Sequence, residues 1–387
     1  MTHPDLVFGW RTALLTVVSG QVLLLAGALL GAARNLTANR SLAALLVVIV
    51  GMLTPFTIGF AGFYDAWPWL TFAPFAVPLA LGPLVYAYAS ALVTGVPPRR
   101  LVLHMAPAAV QFVYQAVCFA LPMPIKLAWD THIHAPWIHP AANVAAIASL
   151  AVYAVFALRL LNRYRIALGE VVADDQRYAA RWLRNILVAV LVVLVAEAVY
   201  QAWETVFGSL SYFDVFGLYL IFSALALYLA VEGWRHADRR FPRLEDTAPV
   251  PDVAGRPKDW RALGERWAAR TRTEAWWREP ELTLADLAAR LGVNTHHLSR
   301  GLNEGLGMNF AGLINGLRAQ AVADALTEGR REDLLTMALD AGFSSKASFN
   351  RAFLSVFGVT PSAYRRALDV SKSKHSAPDA KVRRVAG

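Results

Sequence analysis

The residues Gly342-Phe-Ser-Ser-Lys-Ala-Ser-Phe-Asn-Arg-Ala-Phe-Leu-Ser-Val-Phe-Gly-Val-Thr-Pro-Ser-Ala-Tyr-Arg365 decide the reading of this chain. Gly342 suits the left-handed conformation with which a helix ends. A new helix is expected from about Ser345, with Phe349, Phe353 and Phe357 four apart along its buried line. Lys346, Ser348, Asn350 and Arg351 then lie off that line. Gly358 stops the helix, and Thr360-Pro361 opens another with a capping hydroxyl and a proline at the first helical position. A glycine turn between two helices, the second presenting basic and amide side chains, is the form of a DNA reader.

The same form precedes it. From Pro280, Thr283 and Asp286 fit a capping box, Leu284, Leu287, Ala288 and Leu291 make a buried stripe, and Gly292 makes the turn. A recognition helix is expected from about Asn294 to Glu304, burying Leu298 and Leu302. It offers His296, His297, Ser299, Arg300 and Asn303 as groove or backbone contacts. Gly301 and Gly305 depart from an ideal helix at about 1 kcal/mol each relative to alanine. Asn309–Leu326 reads as the helix joining the two units, and Asp333 as the cap of Leu334–Ala341.

Gly342-Phe343, Ser348-Phe349, Arg351-Ala352-Phe353, Gly358, Thr360-Pro361 and Tyr364-Arg365 together resemble the signature of AraC-type transcriptional regulators. The resemblance covers roughly residues 280–366. It implies two helix-turn-helix units in one polypeptide, entering successive major-groove segments of double-stranded DNA, and is compatible with RNA polymerase as a partner. Arg318 matches a recurrent arginine of the family pattern, either touching phosphate or packing structurally. Ser345, Lys346, Ser348, Asn350 and Arg351 are the candidate DNA contacts of the second unit. Arginine and lysine can read guanine edges and asparagine adenine, or each can hold phosphate.

The remainder of the chain has a different chemistry. Overall the 387 residues are 56% hydrophobic and 17% charged, with a mean hydropathy of +0.40 and a single cysteine, Cys118. Globular domains carry about 25% charged residues. The imbalance is positional: residues 1–234 hold 12 Lys/Arg and 10 Asp/Glu, the remainder 25 and 18. One cysteine permits neither an internal disulfide nor a cysteine metal cluster.

Seven apolar stretches precede Trp234: Phe8–Gly31, Ser41–Gly62, Trp69–Thr94, Leu101–Leu121, Ala141–Leu161, Leu183–Phe207 and Phe213–Gly233. Each is about 20 residues or longer, the length a helix needs to cross a hydrocarbon core. Pro55, Pro74, Pro78, Pro83 and Pro107 are tolerated in such bundles. Arginines 34, 40, 99, 100, 159, 163, 165, 177, 181 and 184 all fall on one side if there are seven spans. The positive-inside rule then places the N-terminus outside and the C-terminus in the cytoplasm of an inner membrane. The first stretch lacks a basic n-region and is expected to be a retained span rather than a signal peptide.

Polar residues inside such stretches are functional candidates. Gln111 and Gln115 share one face, and Glu197, Gln201 and Glu204 another. They are candidates for a pocket taking a small polar or cationic signal, against the alternative that they join helices by hydrogen bonds. His132, His134 and His139 lie in a connection beside Asp130, a set that can bind metal or sense protons, although their spacing matches no strong metal motif. Lys126 is the only lysine before residue 258, which argues against a retinal Schiff base. No cofactor is implied, and no phosphate loop or nucleophile–base set indicates an enzyme.

After Trp234, arginines 235, 239, 240 and 243 form a basic collar suited to lipid headgroups. Thr247-Ala-Pro-Val-Pro-Asp-Val-Ala-Gly-Arg-Pro257 reads as a tether, and Asp259–Trp277 as a connector or dimerisation helix. The expectation is an all-α chain. Residues 1–234 form a seven-helix transmembrane sensor, 235–279 the collar, tether and connector, 280–368 the AraC-type DNA-binding domain with two helix-turn-helix motifs, and 369–387 a basic, disordered tail. Such a chain is a membrane-bound one-component regulator, and a homodimer is compatible with it. The rival class is a transporter or membrane enzyme with an appended DNA-binding domain, which substrate flux would reveal.

Overall fold

The computed structural model describes residues 6–173, 182–191, 194, 195, 199, 216–239, 241 and 259–375. Among these, every regular element is a helix, and a single isolated bridge pairs Val172 with Thr283. The chain divides into two compact units. One holds residues 1–163 and 180–243; the other holds 164–179 and 244–387.

The first unit is built from apolar helices: α1 (Trp10–Leu30), α2 (Leu36–Gly59), α3 (Leu81–Thr94), α4 (Leu101–Phe119), α5 (Met123–Trp129), α6 (His139–Val171, as far as residue 163), α7 (Trp182–Leu191) and α8 (Phe216–Arg235). Five helical stretches are long and apolar enough to cross a membrane: Trp10–Leu30, Leu36–Gly59, Leu101–Phe119, Met123–Val171 and Phe216–Arg235. The expected count of seven is therefore not reproduced among the described residues. The third and sixth expected spans are represented by the shorter apolar helices Pro78–Thr94 and Trp182–Leu191.

The third stretch is broken for a reason visible in its prolines. Pro74 and Pro78, with Pro68 just before the stretch, each lack an amide proton, and a proline disfavours helix in the residue before it. Residues 68–70 and 78–80 make only single 3-10 turns, with irregular chain between them. Irregular backbone in apolar surroundings must find partners within the protein. Gln111 Oε1 accepts from Leu79 N at 3.2 Å, and Gln115 Nε2 donates to Ala76 O at 2.8 Å. Lys126, 2% exposed, donates from Nζ to Trp69 O at 3.0 Å and lies 4.9 Å from the centre of the Phe119 ring. Gln111 and Gln115 thus each bond the backbone of this irregular segment.

The histidine connection is not a loop. Asp130–Ile138 is π-helical and makes one helical run with α5 and α6. His134 Nδ1 pairs with Tyr114 Oη at 2.9 Å, and Trp129 Nε1 donates to the same hydroxyl at 3.0 Å. His132 and His139 are exposed, and no group of three metal-ligating side chains occurs among the described residues.

At the other end of the unit, the α1–α2 turn clasps the end of α8. Asn35 Nδ2 donates to Ala237 O and Arg239 O at 3.0 and 2.7 Å, and the buried Asn39 donates to Arg34 O at 2.8 Å. Gly233 permits α8 to lie directly on α2, where any Cβ would strike Leu42. Glu197, Gln201, Glu204 and the whole of the tether fall outside the described residues.

Replacing Gln115 with leucine leaves the Ala76 carbonyl unpaired in apolar surroundings. The expected cost is about 1–3 kcal/mol. Thermal denaturation of the purified protein in detergent should show a lowered midpoint; an unchanged midpoint contradicts the role given to Gln115.

Candidate nucleic-acid interface

The second unit is a set of helices whose starts are marked by side-chain caps. α9 (Trp260–Thr273) begins at Asp259, α10 (Leu284–Leu291) at Thr283, α11 (Thr295–Arg300) at Asn294 and α12 (Phe310–Thr327) at Asn309. α13 (Leu334–Asp340) begins at Asp333 and α14 (Lys346–Phe357) at Ser345. In each, the cap oxygen accepts an amide proton of the first turn, which the helix itself cannot use. α15 (Pro361–His375) begins with Thr360 Oγ1 accepting from Ala363 N at 3.3 Å.

The first helix-turn-helix runs from α10 through Gly292, at φ +69, into α11. Thr283 and Asp286 complete the expected capping box. Leu298 and Leu302 are fully buried, so the opposite side carries His296, His297, Ser299, Arg300 and Asn303. Past Arg300 the helix widens into a π-turn over Gly301–Gly305. The glycines have a reason that spacing alone did not reveal. α9 lies so close that a Cβ on Gly301 would enter the Trp267 ring, and one on Gly305 would meet the Trp260 carbonyl. The connector helix is thus part of this packing, with Trp267 and Trp277 buried in the common core. Trp260 also sets the neighbouring candidates: Arg300 sits 4.5 Å from its ring centre and His297 5.7 Å. Arg300 Nε further donates to Glu304 at 2.8 Å.

The second helix-turn-helix runs from α13 through Gly342, at φ +89, into α14. Phe343, Phe349 and Phe353 are buried in a continuous aromatic row that Phe357 and Tyr364 extend. That row fixes which face of α14 looks outward: Lys346, Asn350 and Arg351 are exposed. Ser345 and Ser348 are spent otherwise. Ser345 Oγ accepts from Ser348 N at 3.2 Å, Ser348 Oγ donates to Ser345 O at 2.9 Å, and Ser348 is buried.

Arg318 lies inside the domain. It is fully buried in α12, donating from Nε to Trp277 O at 2.7 Å and from Nη2 to Glu279 O at 2.6 Å. It therefore ties the α9–α10 connection to the helix between the two readers. Arg290 reinforces that connection with two 2.7 Å bonds to the Glu279 carboxylate, which hold that carboxyl below its ordinary range. The clasp is present above the ordinary carboxylate pKa and is lost as pH falls through the lowered value.

Residues 287–367 match the family model of a helix-turn-helix domain. The chain carries an AraC-type helix-turn-helix domain. Two uncharacterized HTH-type transcriptional regulators of Staphylococcus aureus, from strains MSSA476 and N315, are each 36% identical over 85 residues. That stretch is 22% of this chain and 11% of theirs, so the chain spans about a tenth of the length of these relatives. Among solved structures, the C-terminal domain of AraT, a response regulator from Geobacillus stearothermophilus, matches at 25% identity and a TM-score of 0.25. The match covers 28% of this chain and 88% of that one.

Exchanging Arg318 for methionine strands two buried carbonyls. Hydrogen bonds to a charged group are worth about 1.5–3 kcal/mol each, so the helix-turn-helix domain should lose about 3 kcal/mol or more of stability. Denaturant unfolding followed by tryptophan fluorescence reads this. A stable protein with weakened DNA binding would instead assign Arg318 to phosphate.

Proposed function

We propose that this protein is a membrane-bound one-component transcriptional regulator, with the AraC-type domain reading DNA in the cytoplasm and the apolar unit sensing a signal. The carrying observation is that the two helix-turn-helix motifs share a chain with five helices long and apolar enough to cross a bilayer. The arginine distribution supports an orientation with the N-terminus outside and the helix-turn-helix domain inside. A signal acts by shifting the equilibrium between arrangements of the bundle, and so how the readers meet DNA.

Within the domain, Lys346, Asn350 and Arg351 are the proposed contacts of the second motif. All three are exposed on the side of α14 away from its aromatic row. His296, His297, Ser299, Arg300 and Asn303 are proposed for the first, with His297 and Arg300 held in place by Trp260. Arg351→Ala should reduce DNA affinity by about 1–3 kcal/mol, roughly 5- to 150-fold, if it reads a base. The domain should remain folded, because the side chain lies outside the core. Fluorescence anisotropy with sites recovered by genomic footprinting, at fixed salt, measures this; undiminished affinity removes Arg351 from the interface.

A further inference from the structure

α6 does not end with the first unit. Its last turns, from Tyr164 to Val171, together with Val172 and Ala173, belong to the unit that carries the helix-turn-helix motifs. Ala173 is 3% exposed and joins the core cluster of that unit. Val172 makes an antiparallel bridge with Thr283, the cap of α10. Asn315 Nδ2, on the helix between the readers, donates to Ala173 O at 2.6 Å. Asn303 Nδ2, on the first recognition helix, donates to Glu170 Oε2 at 2.8 Å. Gly169 lies against Asn309, where an added Cβ would be 3.1 Å from Nδ2. Between this segment and α14 remains a cavity of about 430 Å³, whose lining includes Arg165, Asn309, Asn315, Ser348 and Arg351.

We infer that residues 164–173 form an internal competitor for DNA, docked across the surface that joins the two readers. The inference rests on the DNA-binding reading above. The Asn303 amide cannot donate to Glu170 and to a base or phosphate with the same hydrogen. The Glu170 carboxylate adds negative charge where a phosphate backbone has to approach, so the duplex and the segment repel each other. Arg351 lines the same cavity, so the segment reaches both motifs. Because it is the continuation of α6, whose earlier part belongs to the apolar unit, a signal that moves this helix has a covalent route to the reading surface. DNA binding is then coupled to undocking, and each must weaken the other by the same factor.

The bridge supplies the test. Residues facing each other in an antiparallel bridge have Cα atoms about 4.5–5.5 Å apart, within disulfide range. The full chain, reconstituted in lipid nanodiscs with Cys118→Ser, Val172→Cys and Thr283→Cys, is titrated with a labelled mixed-sequence DNA duplex at fixed salt. The oxidised form should bind about tenfold or more weakly than the same protein reduced, within the usual range of coupling between sites. Equal affinity in the two forms, or failure of the disulfide to form, overturns the inference. Glu170→Ala leaves Thr283 and both readers intact and should raise affinity several-fold in the same assay; unchanged affinity also overturns it. If the unsubstituted, reduced, oxidised and Glu170→Ala proteins all fail to bind duplex, the DNA-binding reading falls and takes the inference with it.

Discussion

Every turn of this chain is governed by one constraint: a backbone amide or carbonyl removed from water must find a partner. The two units meet it in different ways. In the apolar unit, α1 to α5 have no side-chain cap at their starts. Helices long enough to cross a bilayer can carry their ends to water at the interface, where the solvent satisfies them. In the second unit each helix starts in the midst of a small packed domain. There Asp259, Thr283, Asn294, Asn309, Asp333, Ser345 and Thr360 supply the acceptor. The two units thus differ in how their helices begin as well as in hydropathy.

The same constraint explains the polar residues that stand out in the apolar half. Where prolines prevent a helix between residues 68 and 80, side chains from neighbouring helices reach in and take the freed groups. Gln111, Gln115 and Lys126 therefore serve the fold of the segment around which the third apolar stretch is broken. In the second unit, buried Arg318 does the equivalent work for the connection at Trp277 and Glu279. Each is a polar group kept because a backbone would otherwise be stranded.

Much of this was legible in the sequence. Apolar length marked the long helices, and turn glycines, caps and phenylalanine spacing marked both helix-turn-helix motifs with boundaries close to those found. What was not legible depended on distant neighbours. Gly301 and Gly305 read as defects until Trp260 and Trp267 of α9 were placed against them. The histidine stretch at 130–138 read as a loop because its polar residues and proline mask a helix of π geometry. Ser345 and Ser348 read as DNA contacts by position, yet the hydrogen bond between their hydroxyls and backbone turns Ser348 inward. The end of α6 carries no motif at all, and only its bonds to Asn303 and Asn315 draw attention to it.

The central claim is that one chain is both membrane-bound and a specific reader of DNA. It is tested most directly by cross-linking cells that express a tagged form, floating the membranes on a density gradient, and sequencing the DNA recovered with the protein. The account predicts that the protein floats with lipid and brings down discrete, reproducible genomic sites that an Arg351→Ala form recovers poorly. Protein left in the soluble fraction, or membrane-bound protein with no enriched DNA, would contradict it.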